Sequence, residues 1–439
     1  MYREKIIVPK LGFVDDLFDI QKCKKYTKLV NIYTNEEISK RKLQLSKDKC
    51  KRMHIEPKSS KSINKCDELY IDNWSVIVSK SEGRSSKLVD VFNQQVVIKS
   101  VESMDYLGDV VSCDATNTLN IQSRVTKGQG VITDILQIIE GIYFGEFTFE
   151  AFIMLRSSLF LSVITNNLEV SVLNKTDVKT LESLDHQLIR RALQINSKQS
   201  TVLMMLELGI MSIKYVLIKK RLMYLHHIMN SNEKSLINQI FHEMLKSPLK
   251  TDWATMIKQD MKRIKLNLSF EEISMSPKNK FKRNLKELCE RACLEDYLQQ
   301  KSGLSKGKML SYNSLSIQSY FKSKNALSAD SMRKIYALRT RSLPLKCNAP
   351  SQYSDKLCLV PDCLEEDREE YVFSCVYLSE GGEVLQTNIK YEDIFAINVQ
   401  NQEIVKDIFF LRYTKRSKYL PSMEGPEAPQ DNQPSGSRE

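Results

Sequence analysis

A chain of 439 residues with 42% hydrophobic side chains can bury cores, which excludes wholesale disorder; the length fits roughly two to four domains. Only 14 Gly and 11 Pro, with apolar residues mostly at helical spacing, argue against an all-β protein. The net charge of +11 favours polyanionic partners, nucleic acid before an anionic membrane surface.

Residues 5–20 read as strand, tip and strand, with Asp15 and Asp16 at the tip. Tyr26, Leu29, Val30 and Tyr33 then share one helix face. "LQLS" and "KRMHI" alternate like strands, within a run (40–52) holding seven basic residues and one acidic one. That run suits nucleic-acid contact, a solvated face or a nuclear-import patch. "SEGRSSK" (81–87) reads as a loop, and "FNQQVVIKSV" and "DYLGDVVS" read as strands with Gly108 as a bend.

From about residue 118 long helices take over. Leu181, Leu184, Leu188 and Leu193 lie at helical spacing, with Thr176 as the expected N-cap. Further helices are expected at 212–230, 233–246, 279–300, 312–322, 328–341 and near 391–413. The final stretch, "PSMEGPEAPQDNQPSGSRE", has no aromatic or branched aliphatic residue and is expected to be disordered.

Ten scattered Cys after a start that lacks a long apolar segment suggest an intracellular, reduced protein, nuclear or cytoplasmic. The longest apolar run, "FIMLRSSLFLSVI", contains Arg156 and is too short for a bilayer core of about 30 Å, so no membrane partner is expected.

Two adjacent carboxylates repel unless a cation arrives. At a hairpin tip they suit Mg²⁺, a hard ion held by one or two carboxylates plus substrate phosphates. The plainer reading is an exposed turn, where Asp is common.

The neighbours of the pair extend the pattern. "FVDD", a helix, "LQLSKDKCKRMHI" and "DYLGDVVS" come in the order of the late palm of a reverse transcriptase. The stretch from "NIQSRVTKGQGVITDILQII" through "LELGIMSIKYVLIKKRLMYLHHIM" to "LRTRSLPLKCN" and the Cys cluster resembles the region after the palm in non-long-terminal-repeat retrotransposon polymerases. The resemblance covers most of residues 1–375. It implies that Asp15 and Asp16 belong to a catalytic, Mg²⁺-binding box, and that Lys49, with Lys47 as competitor, lies by the departing pyrophosphate. It implies a primer grip at Tyr106, Leu107 and Gly108. Arg124 and Lys127 would lie early in a thumb helix that holds the template–primer duplex by its backbone. Arg190, Arg191, Lys219, Lys220 and Arg221 would extend that track.

The implied fold is α+β, mostly α: a partial palm sheet over 1–117, a thumb-like region over 118–200 and a helical region over 201–345. A Cys-containing module over 346–420 and the tail over 421–439 complete it. The implied partner is RNA or an RNA–DNA duplex, with no small-molecule substrate beyond nucleotides.

The pattern also departs from the family. The earlier metal-binding Asp and the fingers lie upstream of the aromatic-x-Asp-Asp box there, whereas twelve residues precede Phe13 here. The expectation is a truncated polymerase, inactive alone, with residual nucleic-acid affinity. The alternatives are a non-enzymatic nucleic-acid-binding or scaffold protein derived from the element, or a fragment with no selected role. Cys358, Cys363 and Cys375 depart as well, because Tyr371 stands where a His ligand is expected. They read either as a Zn²⁺ group that recruits a further ligand such as Cys347, or as plain thiols. His226 and His227 point about 100° apart on a helix and read as core or rim; Glu207 and Trp253 read as packing or capping.

Overall fold

The computed structural model describes residues 10–13, 16–19, 51–52, 69–82, 85–106, 108–141, 148–195, 199–249, 252–304, 310–322, 329–340, 357 and 366. The expected helix over Tyr26–Tyr33, "LQLS", the helix near 391–413 and the tail lie outside these residues.

The strands come first. β1 (Lys10–Phe13) and β2 (Asp16–Asp19) form a hairpin in which Phe13 pairs with Asp16. β3 (Lys51–Arg52) runs parallel to β5 (Ser85–Ser100), which pairs antiparallel with β4 (Leu69–Glu82) from Leu69–Ile98 to Glu82–Ser85. β4, "LYIDNWSVIVSKSE", is rich in aromatic and β-branched residues, as a pleated surface favours. β6 (Ser103–Tyr106) and β7 (Asp109–Ser112) form a third, separate sheet. Among the described residues the strands form three small sheets, and the Asp16 and Gly108 hairpins belong to different ones. β1–β2 and β6–β7 each pair only the facing edges of their own two strands.

Helices account for most of the remaining described residues. They are α1 (Thr118–Gly141), α2 (Phe149–Leu155), a π-helical turn (Arg156–Phe160), α3 (Leu161–Ile164) and α4 (Lys175–Leu193). Then come α5 (Thr201–Glu207), α6 (Ile213–Met229), α7 (Leu236–Lys246), α8 (Trp253–Arg263), α9 (Phe270–Met275), α10 (Lys278–Ser302) and α11 (Ala329–Arg339). The fold is mostly α with small β sheets.

The cap of α4 is two residues earlier than Thr176. Asn174 Oδ1 accepts from the Asp177 N–H at 2.9 Å, and Asp177 Oδ2 accepts from the Asn174 N–H at 3.0 Å. This is a reciprocal capping box with an acid at the third helical position, where it also suits the macrodipole. The helix expected over 312–322 shrinks to one 3₁₀ turn, Ser319–Phe321. The bent stretch before it carries Tyr312, and the turn itself carries Tyr320, to the buried carboxylate of Glu207.

Two units share the chain, each assembled from three separated stretches. The first comprises residues 1–132, 159–185 and 213–288; the second comprises 133–158, 186–212 and 289–439. Three of their five boundaries fall inside α1, α4 and α10, so the units do not follow consecutive blocks of sequence.

In the first unit α6 is largely enclosed, with Ile213, Tyr215, Leu217, Ile218, Leu222, Leu225 and Ile228 buried. Tyr224 meets Trp253 of α8 edge-on at 5.9 Å, and Trp253 Nε1 donates to the Glu169 carbonyl at 2.7 Å. Phe241 of α7 packs edge-on against the same indole at 5.7 Å. His226 is buried, stacks on Phe281 of α10 at 5.2 Å and has Nε2 2.9 Å from the Ser276 carbonyl oxygen, while His227 is exposed. The adjacent histidines diverge as helix geometry requires. In the second unit Phe149 contacts Phe152 and Phe321, and Tyr336 packs on Phe321.

Candidate functional site

The β6–β7 hairpin ends in a turn where Gly108 has φ +86°, a conformation side-chain-bearing residues rarely adopt. Tyr106 and Asp109 are the last pair before that turn. Behind it, α1 presents Asn120 and Arg124, four residues apart on one face. The Arg124 guanidinium is 3% exposed. It pairs with the Asp109 carboxylate and donates to the Val163 carbonyl at 3.1 Å and the Gly108 carbonyl at 3.5 Å. Asn120 Oδ1 accepts from the Val110 N–H at 3.3 Å. The turn is thus bolted to the helix after it. A buried charge of this kind persists only when paired and hydrogen-bonded.

Nearby in the same unit, Lys220 Nζ donates to the Thr165 carbonyl at 2.9 Å. Burial holds the Lys220 ammonium below the usual lysine range; Glu169 opposes this and Arg124 adds to it. Arg221 Nε donates to Asp260 Oδ2 at 2.6 Å, with both side chains nearly buried. Burial pushes the Asp260 carboxyl up despite the opposing pull of Arg221.

The second unit contains a buried carboxylate that the sequence suggests only as packing or capping. Glu207, the last residue of α5, is 0% exposed. Its Oε1 accepts from Tyr312 Oη at 2.5 Å and from an Arg339 terminal nitrogen at 3.1 Å. Its Oε2 accepts from Tyr320 Oη at 2.6 Å and Arg339 Nε at 3.0 Å. Each oxygen therefore takes two donors, which is what a desolvated carboxylate needs. Burial and then the Glu207 charge push both tyrosine hydroxyls well above their usual range. Burial works against the Arg339 charge, but Glu207 overrides it and holds the guanidinium protonated.

Each of these clusters is a buried polar centre that positions the elements around it within its own unit. No family model, no curated protein and no solved structure matches the chain.

The residues singled out from sequence are distributed unevenly. Asp16 begins β2; Asp15, Lys49, Leu107, Cys358, Cys363 and Cys375 lie outside the described residues. Tyr106 is half-buried and Gly108 exposed. Arg124 is committed to the hairpin rather than presented outward, and Arg221 is committed to Asp260. Arg190 is half-buried and donates to the Gln199 carbonyl at 3.4 Å. Lys127 and Arg191 are exposed. Among the described residues no group of His, Cys, Asp and Glu side chains converges as a metal site requires, and no helix is long and apolar enough to cross a membrane.

Sequence reasoning passes over Asp109, Asn120, Tyr312 and Tyr320. The i, i+4 spacing places Asn120 and Arg124 on one helix face, but spacing alone does not mark that face as buried against the hairpin. For the tyrosines no local signal exists, because their partner lies about a hundred residues away along the chain.

Proposed function

We propose that this chain derives from the late palm, thumb and C-terminal helical region of a non-long-terminal-repeat retrotransposon reverse transcriptase. As a 439-residue polypeptide it binds RNA or RNA–DNA duplex through the phosphate backbone and does not extend a primer. The observation that supports the reading is the Gly108 hairpin followed by the long helix α1, the order that the motif resemblance calls for, with Arg124 fastening the two rather than facing a duplex. The excess of Lys and Arg agrees with a polyanionic partner. The separate sheets of the Asp16 and Gly108 hairpins favour the binding function over the catalytic one, because copying chemistry needs metal carboxylates and primer grip on one framework.

The test is a fluorescence-polarisation titration on a labelled template–primer duplex at several salt concentrations, paired with a Mg²⁺-dependent extension assay. Binding that weakens steeply with salt, without extension, is the expected result. Asp15→Ala with Asp16→Ala leaves binding unchanged. Absence of duplex binding, or primer extension by this polypeptide, overturns the reading.

A further inference from the structure

Three of the seven cations expected to track a duplex are committed inside the fold: Arg124 to Asp109, Lys220 to the Thr165 carbonyl and Arg221 to Asp260. Among the described residues of the first unit, exposed cations cluster in two stretches: Lys258, Lys262, Arg263 and Lys265 toward and just past the end of α8, and the start of α10. The first nine residues of α10, Lys278–Lys286, carry Lys278, Lys280, Lys282, Arg283 and Lys286 and no acid. All five are exposed, while Phe281 and Leu285 of the same turns are buried.

Helix physics disfavours this arrangement. The N-terminal end of a helix carries the positive pole of the macrodipole and prefers acids. Lys278, Lys282 and Lys286 also repel one another at i, i+4 spacing. Acids open α9, with Glu271 and Glu272, and α4, with Asp177, while α7 and α8 have none in their first turns. A charged face that breaks the local preference is where function outweighs stability.

We infer that the face of α10 carrying Lys278, Lys282 and Lys286, flanked by Arg283, is the surface on which the backbone of a double-stranded nucleic acid docks. The inference rests on the proposed duplex binding and gives it a location. From Lys278 to Lys286 the helix rises about 12 Å, which matches roughly three to four phosphates along one strand. An anionic membrane is the poorer fit, because an interfacial helix turns apolar residues toward the lipid and here they face inward.

The experiment uses the full chain with a labelled 20-base-pair RNA–DNA duplex as probe. Lys282→Gln, Arg283→Gln and Lys286→Gln are combined in one variant. Lys175→Gln, Lys179→Gln and Lys234→Gln, exposed lysines of the same unit, are combined in a charge-matched control. The expected result is a loss of about tenfold or more in affinity for the α10 variant, and a salt slope shallower by about two to three, with the control unchanged. Thermal midpoints that are equal to or above wild type establish that the α10 variant is folded.

Equal losses in both variants, or wild-type binding by the α10 variant, overturn the assignment while leaving duplex binding in place. Failure of the unmodified chain to bind removes the underlying reading and this one with it. Preferential binding to phosphatidylserine vesicles, or competition by polyglutamate as strong as by duplex, overturns the choice of occupant.

Discussion

Glu207 and Arg339 face each other as a buried fork, with Nε 3.0 Å from Oε2 and a terminal nitrogen 3.1 Å from Oε1, although 132 residues separate them. Removing one partner strands the other charge away from water. Arg339→Met should therefore cost about 3 to 5 kcal/mol, measured as a shift in the urea midpoint at constant slope. Arg339→Lys should recover only part of that, since an ammonium cannot reproduce the planar fork. A loss under about 1 kcal/mol for Arg339→Met would show that water reaches the pair.

Tyr312 and Tyr320 predict how stability depends on pH. Both hydroxyls titrate above the usual tyrosine value in the folded protein. The folded state then holds these protons more tightly than the unfolded chain does. Their contribution is complete below the unfolded value, about pH 10, and declines as pH rises beyond it. The decline should approach about 1.4 kcal/mol per pH unit for each tyrosine. Urea midpoints between about pH 8 and 11 should fall less steeply for Tyr312→Phe than for wild type. Identical slopes would remove Glu207 and its tyrosines as the cause.

Much of the helical part is legible in the sequence because amphipathic spacing is a local property. The observed bounds of α6, Ile213–Met229, and α10, Lys278–Ser302, lie within two residues of those read from the sequence. The hairpin ending in Gly108 is legible for the same reason, as a turn signal between two short strands. Errors arise where distant partners decide. The stretch 312–322 has helix-compatible spacing, yet the Gln318 N–H donates to the Glu207 carbonyl at 3.0 Å and the Ser316–Ile317 backbone packs against Gly209. Arg124 does lie early in a helix, but its burial depends on Asp109, across a turn that spacing alone does not orient. The α4 cap escapes a sequence reading because Asn and Asp replace the Ser and Glu of the usual box.

Gly209 and Gly130 should respond in opposite directions to the same substitution. At Gly209 the backbone has φ +62°, and an added Cβ would lie 2.2 Å from the Ser316 carbonyl carbon, where main chain must move to admit it. Gly209→Ala should cost about 3 kcal/mol through overpacking and backbone strain together. Gly130 lies within α1, is exposed and has nothing within 4 Å of that position. Gly130→Ala should stabilise by about 0.5 to 1 kcal/mol, the ordinary helix-propensity gain. Two thermal or urea melts decide the matter, and a gain at Gly209 would mean that the 316–317 segment is not packed against α5.

Arg124 and Lys127 stand three residues apart on α1 and should behave as different kinds of residue. The Arg124 guanidinium bonds Asp109 and the Gly108 and Val163 carbonyls, whereas Lys127 is exposed. Arg124→Met should cost about 3 kcal/mol, because Asp109 loses its cation and two partly buried carbonyls lose a donor. The loss should be concentrated in the hairpin, so amide exchange across 103–112 should accelerate more than exchange within α6. Lys127→Gln should change stability by less than about 0.5 kcal/mol, as exposed substitutions do. If Arg124→Met instead leaves hairpin exchange untouched, α1 does not fasten the turn.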